Sequence, residues 1–255
     1  IRDELRREKK LEATDLVIPL ERLGRENADE VGGKAANLGE VYNRVQLPVP
    51  SGFAVSAFAC HQFFEENQLW EFIEQQMKSL DVNDTEKLME VSYQIKDRIM
   101  TARMPDALAR DILNAAADLK RKLGSELRLA VRSSATSEDG DASFAGQHST
   151  ELNVREENLL QAYREVVSST FNPRAIFYRR SRGYMDQDVI MSVACIVMVD
   201  AVSAGVMYTV DPNDASHAVL MISAVWGLAA EAVEGEVETD FFQVDKKTRE
   251  LEKSE

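Results

Sequence analysis

Residues 129–150 read LAVRSSATSEDGDASFAGQHST, and the fold turns on how this stretch is understood. An apolar, strand-like run over 127–131, interrupted by Arg128, delivers Arg132 to the mouth of a loop of small and acidic residues. Ser133, Ser134, Ala135, Thr136, Gly140, Ala142, Ser143, Ala145 and Gly146 carry little or no bulk, so backbone N–H groups there can approach an anion closely. Arg132 adds a fixed charge, a guanidinium able to grip two phosphate oxygens at once. Composition alone leaves a plainer reading open, a strand followed by a polar surface turn, because Ser/Gly/Asp loops are common.

Four further strings flank this one in order: VGGKAANLGE (31–40), LPVPSGF (47–53), SAGVMYTVDP (203–212) and WGL (226–228). In that order the five strings resemble the N-terminal ATP-binding (PEP/pyruvate-binding) domain of the phosphoenolpyruvate synthase and pyruvate phosphate dikinase family, in particular the pyruvate, water dikinase branch. The resemblance runs from about residue 16 to the C-terminus.

It implies an α+β, ATP-grasp-like nucleotide-binding domain with a helical N-terminal lobe and an antiparallel sheet lobe, incomplete at the C-terminus. Residues 1–15 form a charged leader helix or linker and 16–255 the domain itself. The family's G-G-K lysine contacts nucleotide phosphates, which assigns that role to Lys34. Arg132 would bind phosphate, Ala145, Gly146 and Gln147 would lie along the nucleotide through their backbone, and Thr150 would reach it with its hydroxyl. The resemblance implies ATP and Mg²⁺ as cofactors, with the metal ligands mostly outside these residues, and assigns no catalytic side chain and no metal ligand here.

In the parent enzyme that the resemblance implies, ATP gives its β-phosphoryl group to a histidine on a mobile carrier domain, releasing AMP and phosphate. That histidine then phosphorylates pyruvate, or another acceptor, at a further domain. Rifampin phosphotransferase-like enzymes use a similar nucleotide domain. His61, His148 and His217 do not match the carrier motif, so none is read as the phosphate acceptor.

Independent of resemblance, glycine followed by lysine at the start of a helix is where N–H groups and the helix dipole favour an anion, although an exposed lysine after a tight turn explains Lys34 equally well. At 255 residues and 44% apolar, the chain can bury a real core. Its net charge of −14 argues against general nucleic-acid binding, and an anionic substrate would need local cations, with a metal. No apolar run approaches bilayer length and no signal peptide is visible, so no membrane partner is expected. Cys60 and Cys195 lie in apolar surroundings without metal-ligand spacing, which predicts reduced thiols in a cytoplasmic protein. The chain opens on Ile1, which reads as a segment continuing from upstream.

Periodicity supplies the elements. Residues 16–20 predict a first strand, and 31–45 a glycine turn feeding a helix with Leu38, Val41 and Val45 on one face. Ser56 predicts an N-cap for a helix carrying Phe58, Phe63 and Phe64. Leu88, Val91, Ile95 and Ile99 form one stripe, and Leu108, Ile112, Leu119 and Leu123 another, read as an antiparallel helix pair with Arg103 between them as a secondary nucleotide candidate. Arg174, Arg179, Arg180 and Arg182 crowd one helix, either as an anion patch or in internal ion pairs. The nearly all-apolar run 189–199 predicts a strand covered on both faces, with 205–210 and 218–224 as its neighbours.

The sequence also departs from its relatives. Ile196 stands where the family usually has glutamine, and isoleucine forms no hydrogen bond. Ala229 and Ala230 replace the usual G-E after the WGL string, and Glu231 comes one position late. Neither the family's acidic D-x-E-x-A strand nor its L-Q-x-R string occurs, so the domain alone is expected to bind nucleotide weakly and catalyse poorly. These departures feed an alternative reading, a degenerate non-catalytic module that senses nucleotide or holds a partner.

Overall fold

Small side chains set the geometry of the first sheet. The computed structural model describes residues 13–124, 126–135, 149–188, 190–212, 214, 216–230, 232, 235 and 237–254. The chain divides into two units, Ile1–Met198 and Val199–Glu255.

In the first unit, β1 (Val17–Pro19), β2 (Gly52–Val55), β3 (Leu129–Ala135), β4 (Thr150–Val154) and β5 (Met191–Val197) form one antiparallel sheet in the order β1-β2-β5-β3-β4. Helix α1 (Ala28–Glu40) covers one face. The apolar side chains clustered on that face include Ala54, Ala194 and Ile196 with Ile18, and α1 answers with Val31, Ala35 and Ala36. With little bulk on either side, the backbones come close. A Cβ on Gly39 would stand 2.4 Å from the Cβ of Leu23.

The opposite face carries the large side chains. Helices α2 (Ala57–Glu66), α3 (Leu69–Met77), α4 (Thr85–Thr101), α5 (Asp106–Leu123) and α6 (Leu159–Ser168) bury Phe63, Phe64, Ile73, Ile95, Ile112, Tyr163 and Val166 against Phe53, Val55, Val131, Val193 and Cys195. Each such side chain contributes roughly 1.5–3 kcal/mol by leaving water. Phe64 packs against Trp70 with the rings tilted by 44° and their centroids 4.7 Å apart. Ser56 caps α2 by accepting the Ala59 N–H, and Asp84 caps α4 through the Lys87 N–H, as the sequence predicts for the first of these. Gly124, at φ 67°, closes α5.

Several expectations need correction. The apolar stripes of α4 and α5 are buried except for Leu123, which is exposed, and the two helices are not chiefly packed on each other: α4 lies against α3, α6 and α7 (Pro173–Arg182), and α5 against β1, β2 and α6. Val45 is 55% exposed, because Val41–Val45 widens into a π-helical turn and the buried face of α1 consists of small residues instead. Arg103 is exposed and pairs with Asp106 at 3.0 Å.

The arginine-rich helix resolves into internal pairing. Arg179 is fully buried, donates to the Thr170 carbonyl and to Asp186 at 3.4 Å, and lies 5.2 Å from the Phe171 ring centroid. Arg180 meets the other Asp186 oxygen at 2.7 Å. Burial pulls the Arg179 pKa down while the Asp186 charge opposes it. Removing Asp186 would leave a buried cation unpaired.

The largest correction concerns strand pairing. The apolar run is β5, covered on both faces as expected, yet its neighbours are β2 and β3. The expected neighbours instead belong to the second unit, whose sheet runs β6 (Ser203–Tyr208), β7 (Val219–Trp226), β8 (Asp240–Asp245) and β9 (Leu251–Ser254), antiparallel throughout. Hydrophobic patterning reports that a strand is buried but not which distant segment lies beside it.

Candidate functional site

Arg132 is the one exposed residue in a strand otherwise buried on both faces. Side chains directly opposite each other in a sheet share a face. Arg132 stands opposite Thr150 on β4 and Ala194 on β5, and two residues along β3, Ser134 stands opposite Ser192. All five therefore look toward α1, and α1 covers Ser134 while leaving Arg132 and Thr150 open.

The register that achieves this is not the simple one. Leu129 pairs with Val154, but a one-residue shift follows before Val131 pairs with Glu151. Asn153, at φ 57°, supplies the left-handed residue that β-bulges use and asparagine tolerates. Unshifted pairing would place Glu151 opposite Arg132. The bulge instead gives Arg132 a hydroxyl neighbour and turns the carboxylate to the other face.

Above Ser134 sits the glycine turn. Gly32 has φ 73° and ψ 160°, a break inside α1 that an L-side chain resists. A Cβ there would also lie 2.1 Å from the Ser134 carbonyl oxygen. In an unbroken helix the Ala35 N–H would donate to the Val31 carbonyl. Here the Ser134 hydroxyl is inserted between them: the Ala35 N–H donates to Ser134 Oγ at 3.0 Å, and that hydroxyl donates to the Val31 carbonyl at 2.7 Å. Ser192 Oγ donates to the same carbonyl at 2.8 Å. Both serines are fully buried, and every one of these groups is satisfied.

Lys34 is exposed on the turn that this arrangement holds, immediately before Ala35. Ser134, which grips Ala35, is two residues from Arg132 along β3, about 7 Å at ordinary strand rise. Lys34, Arg132 and Thr150 are thus brought to one side of one sheet. Ala145, Gly146 and Gln147, together with His148 and Glu231, lie outside the described residues. Ile196, where a polar side chain was expected, is 9% exposed and packs in the apolar cluster beneath α1. Among the described residues no group of three or more His, Cys, Asp or Glu is arranged to hold a metal ion.

The sequence matches the family described as pyruvate phosphate dikinase, AMP/ATP-binding domain, over residues 28–255. The chain belongs to that family. Among relatives of this AMP/ATP-binding domain, a probable phosphoenolpyruvate synthase of Methanocaldococcus jannaschii is 42% identical over 235 residues, 91% of this chain and 20% of that protein. The phosphoenolpyruvate synthase of Escherichia coli K12 is 37% identical over 243 residues, 92% of this chain and 31% of that protein. A rifampicin phosphotransferase of Bacillus cereus is 36% identical over 216 residues, 84% of this chain and 24% of that protein. The chain therefore spans between a fifth and a third of the length of these relatives.

Sequence reasoning named Lys34, Arg132 and Thr150, counted Ser134 only among the small residues of the loop, and passed over Ser192. The signal for Ser192 was present, a lone hydroxyl in an otherwise apolar strand. Such a residue must find a partner when buried. That its partner is a helix carbonyl over 150 positions earlier is information held by the tertiary fold.

The second unit has a cavity of about 300 Å³ lined by Ala224, Val225, Trp226, Leu228, Val237, Glu238 and Asp240. Trp226 and Leu228, from the WGL string, form part of its wall, and Gly227 takes φ 75° between them.

Proposed function

We propose that residues 16–255 form an ATP-grasp-like nucleotide-binding domain, preceded by a charged leader at 1–15, in a phosphoenolpyruvate synthase-like phosphotransferase of the cytoplasm. The observation that carries this reading is the placement of Lys34, Arg132 and Thr150 on one open side of the first sheet, in a chain of the AMP/ATP-binding family. Lys34 and Arg132 neutralise the polyphosphate, Thr150 hydrogen-bonds it, and Ala145, Gly146 and Gln147 follow it through their backbone. The wider activity proposed is transfer from ATP to a histidine of a carrier domain and then to pyruvate or another acceptor on a further domain. Those domains are the proposed partners.

Mg²⁺ is proposed to accompany ATP, held by the phosphates and by carboxylates mostly elsewhere in the parent protein; among the described residues no group of three or more His, Cys, Asp or Glu is arranged around one point. Mg²⁺ is proposed to share the neutralisation of the phosphates with Lys34 and Arg132.

Titration with MgATP tests the reading. The wild type binds saturably, and Lys34→Ala and Arg132→Ala each weaken binding by about 10–100-fold, the worth of a charge-assisted contact. Their thermal unfolding stays near wild type, because both side chains are exposed. A folded wild type that shows no saturable binding rejects the proposal. One observation favours the second reading, a module without catalysis: Ile196 is satisfied by packing. An Ile196→Gln variant that gains ATP affinity supports the nucleotide site, and one that only loses stability supports the module.

A further inference from the structure

The hydrogen-bond ladder of α1 is broken at one rung, and a side chain from the sheet occupies the gap. Ser134 Oγ accepts from the Ala35 N–H and donates to the Val31 carbonyl, the two groups that would bond directly in a continuous helix. Its cross-strand partner Ser192 donates to the second lone pair of the same carbonyl. Gly32 makes the break possible, since its φ of 73° and the 2.1 Å approach to the Ser134 carbonyl exclude a side chain. A structure that needed only to pack α1 on the sheet could place alanines at 134 and 192, as it does at 54 and 194. Two buried hydroxyls aimed at one carbonyl instead fix the turn, and with it the backbone of residue 34 on the sheet face that carries Arg132.

We infer that Ser134, assisted by Ser192, is a positioning residue: its inserted hydroxyl holds α1 open at residues 32–34 so that Lys34 and Arg132 engage one polyphosphate. This rests on the nucleotide reading above. Without the hydroxyl, the Val31 carbonyl and Ala35 N–H are free to re-form the helical bond, which draws Lys34 out of place. Ser192 cannot substitute, because it reaches only the carbonyl.

The test measures MgATP and AMP binding by calorimetry for the wild type, Ser134→Ala, Ser192→Ala, Lys34→Ala and the Lys34→Ala/Ser134→Ala double variant, with thermal unfolding of each. Ser134→Ala weakens MgATP by about tenfold, one hydrogen bond's worth, and leaves AMP within about twofold. In the Lys34→Ala background the same change has almost no further effect on MgATP, because the lysine it positions is gone. Ser192→Ala gives a smaller loss of the same kind. Should Ser134→Ala fail to fold, Ser134→Cys, which is slightly larger and only a weak hydrogen-bonding group, is read in its place. Equal losses for MgATP and AMP, or a loss undiminished in the Lys34→Ala background, overturn the inference and leave the nucleotide reading standing. A wild type without saturable MgATP binding overturns both.

Discussion

The five-stranded sheet of the first unit and the four-stranded sheet of the second differ in how they treat their faces. In the first, α1 covers one face and α2, α5 and α6 the other, and strands such as β5 are buried nearly throughout. In the second, Val219 is the only buried residue among the described ones, and Trp226 is 81% exposed. Both sheets are antiparallel ladders with one register shift each, between β3 and β4 in the first and between β8 and β9 in the second. The contrast separates two contributions to a sheet: a backbone ladder specifies pairing, whereas side-chain burial supplies most of the stabilisation.

The largest test of this contrast is a matched pair of truncations. Phe63→Ala in the first unit costs about 3–5 kcal/mol, and Phe242→Ala in the second about 1 kcal/mol or less, read by denaturant unfolding. Similar losses at the two positions would show that the second sheet is as firmly packed as the first. Next in size is Gly32→Ala, expected to cost at least ~2 kcal/mol because it meets both an unfavourable φ and the Ser134 carbonyl. A neutral result would mean that α1 lifts easily from its sheet.

The two cysteines sharpen the comparison chemically. Burial pushes the Cys60 thiol from 9.0 up to about 12, and raises that of Cys195 as well. A thiol that keeps its proton when folded and loses it when unfolded adds no pH dependence below 9.0, and lowers stability as pH rises from there toward 12. The midpoint of thermal unfolding should fall across that window, less so in Cys60→Ala, and native alkylation should proceed only through unfolding.

The smallest effect expected is in the second unit. Asp245 accepts the Lys247 and Thr248 N–H groups at 2.8 and 2.6 Å in the β8–β9 turn, which lowers its pKa below 3.8. Its contribution is present above 3.8 and is lost as pH falls through the lower folded value. Amide exchange in β9 should therefore quicken at low pH, and in Asp245→Ala at neutral pH. An unchanged β9 would assign the turn's order to the strands alone.

Elements whose cause is local were legible from residue order. The Ser56 cap, the α4 stripe and the lysine after a glycine turn each depend on neighbours within one or two helical turns. The pairing of β5 with β2 and β3 was not, because its apolar run fits any covered position equally well. The Arg132–Thr150 pairing depends on a bulge at Asn153 that a single left-handed residue creates. The Arg174–Arg182 crowding left two readings open, and Asp186 decided between them for Arg179 and Arg180.

Gly52 lies opposite Ile196, and a Cβ on it would stand 2.5 Å from the Cys195 carbonyl oxygen, a backbone atom that no substitution at 196 moves aside. Position 52 must therefore remain bare whatever its neighbour becomes. The strip of β2 beside Ile196 is already roofed by that side chain, whose Cδ1 lies 2.7 Å from where the Cβ would stand, so whatever occupies position 196 rests on bare main chain rather than on another side chain.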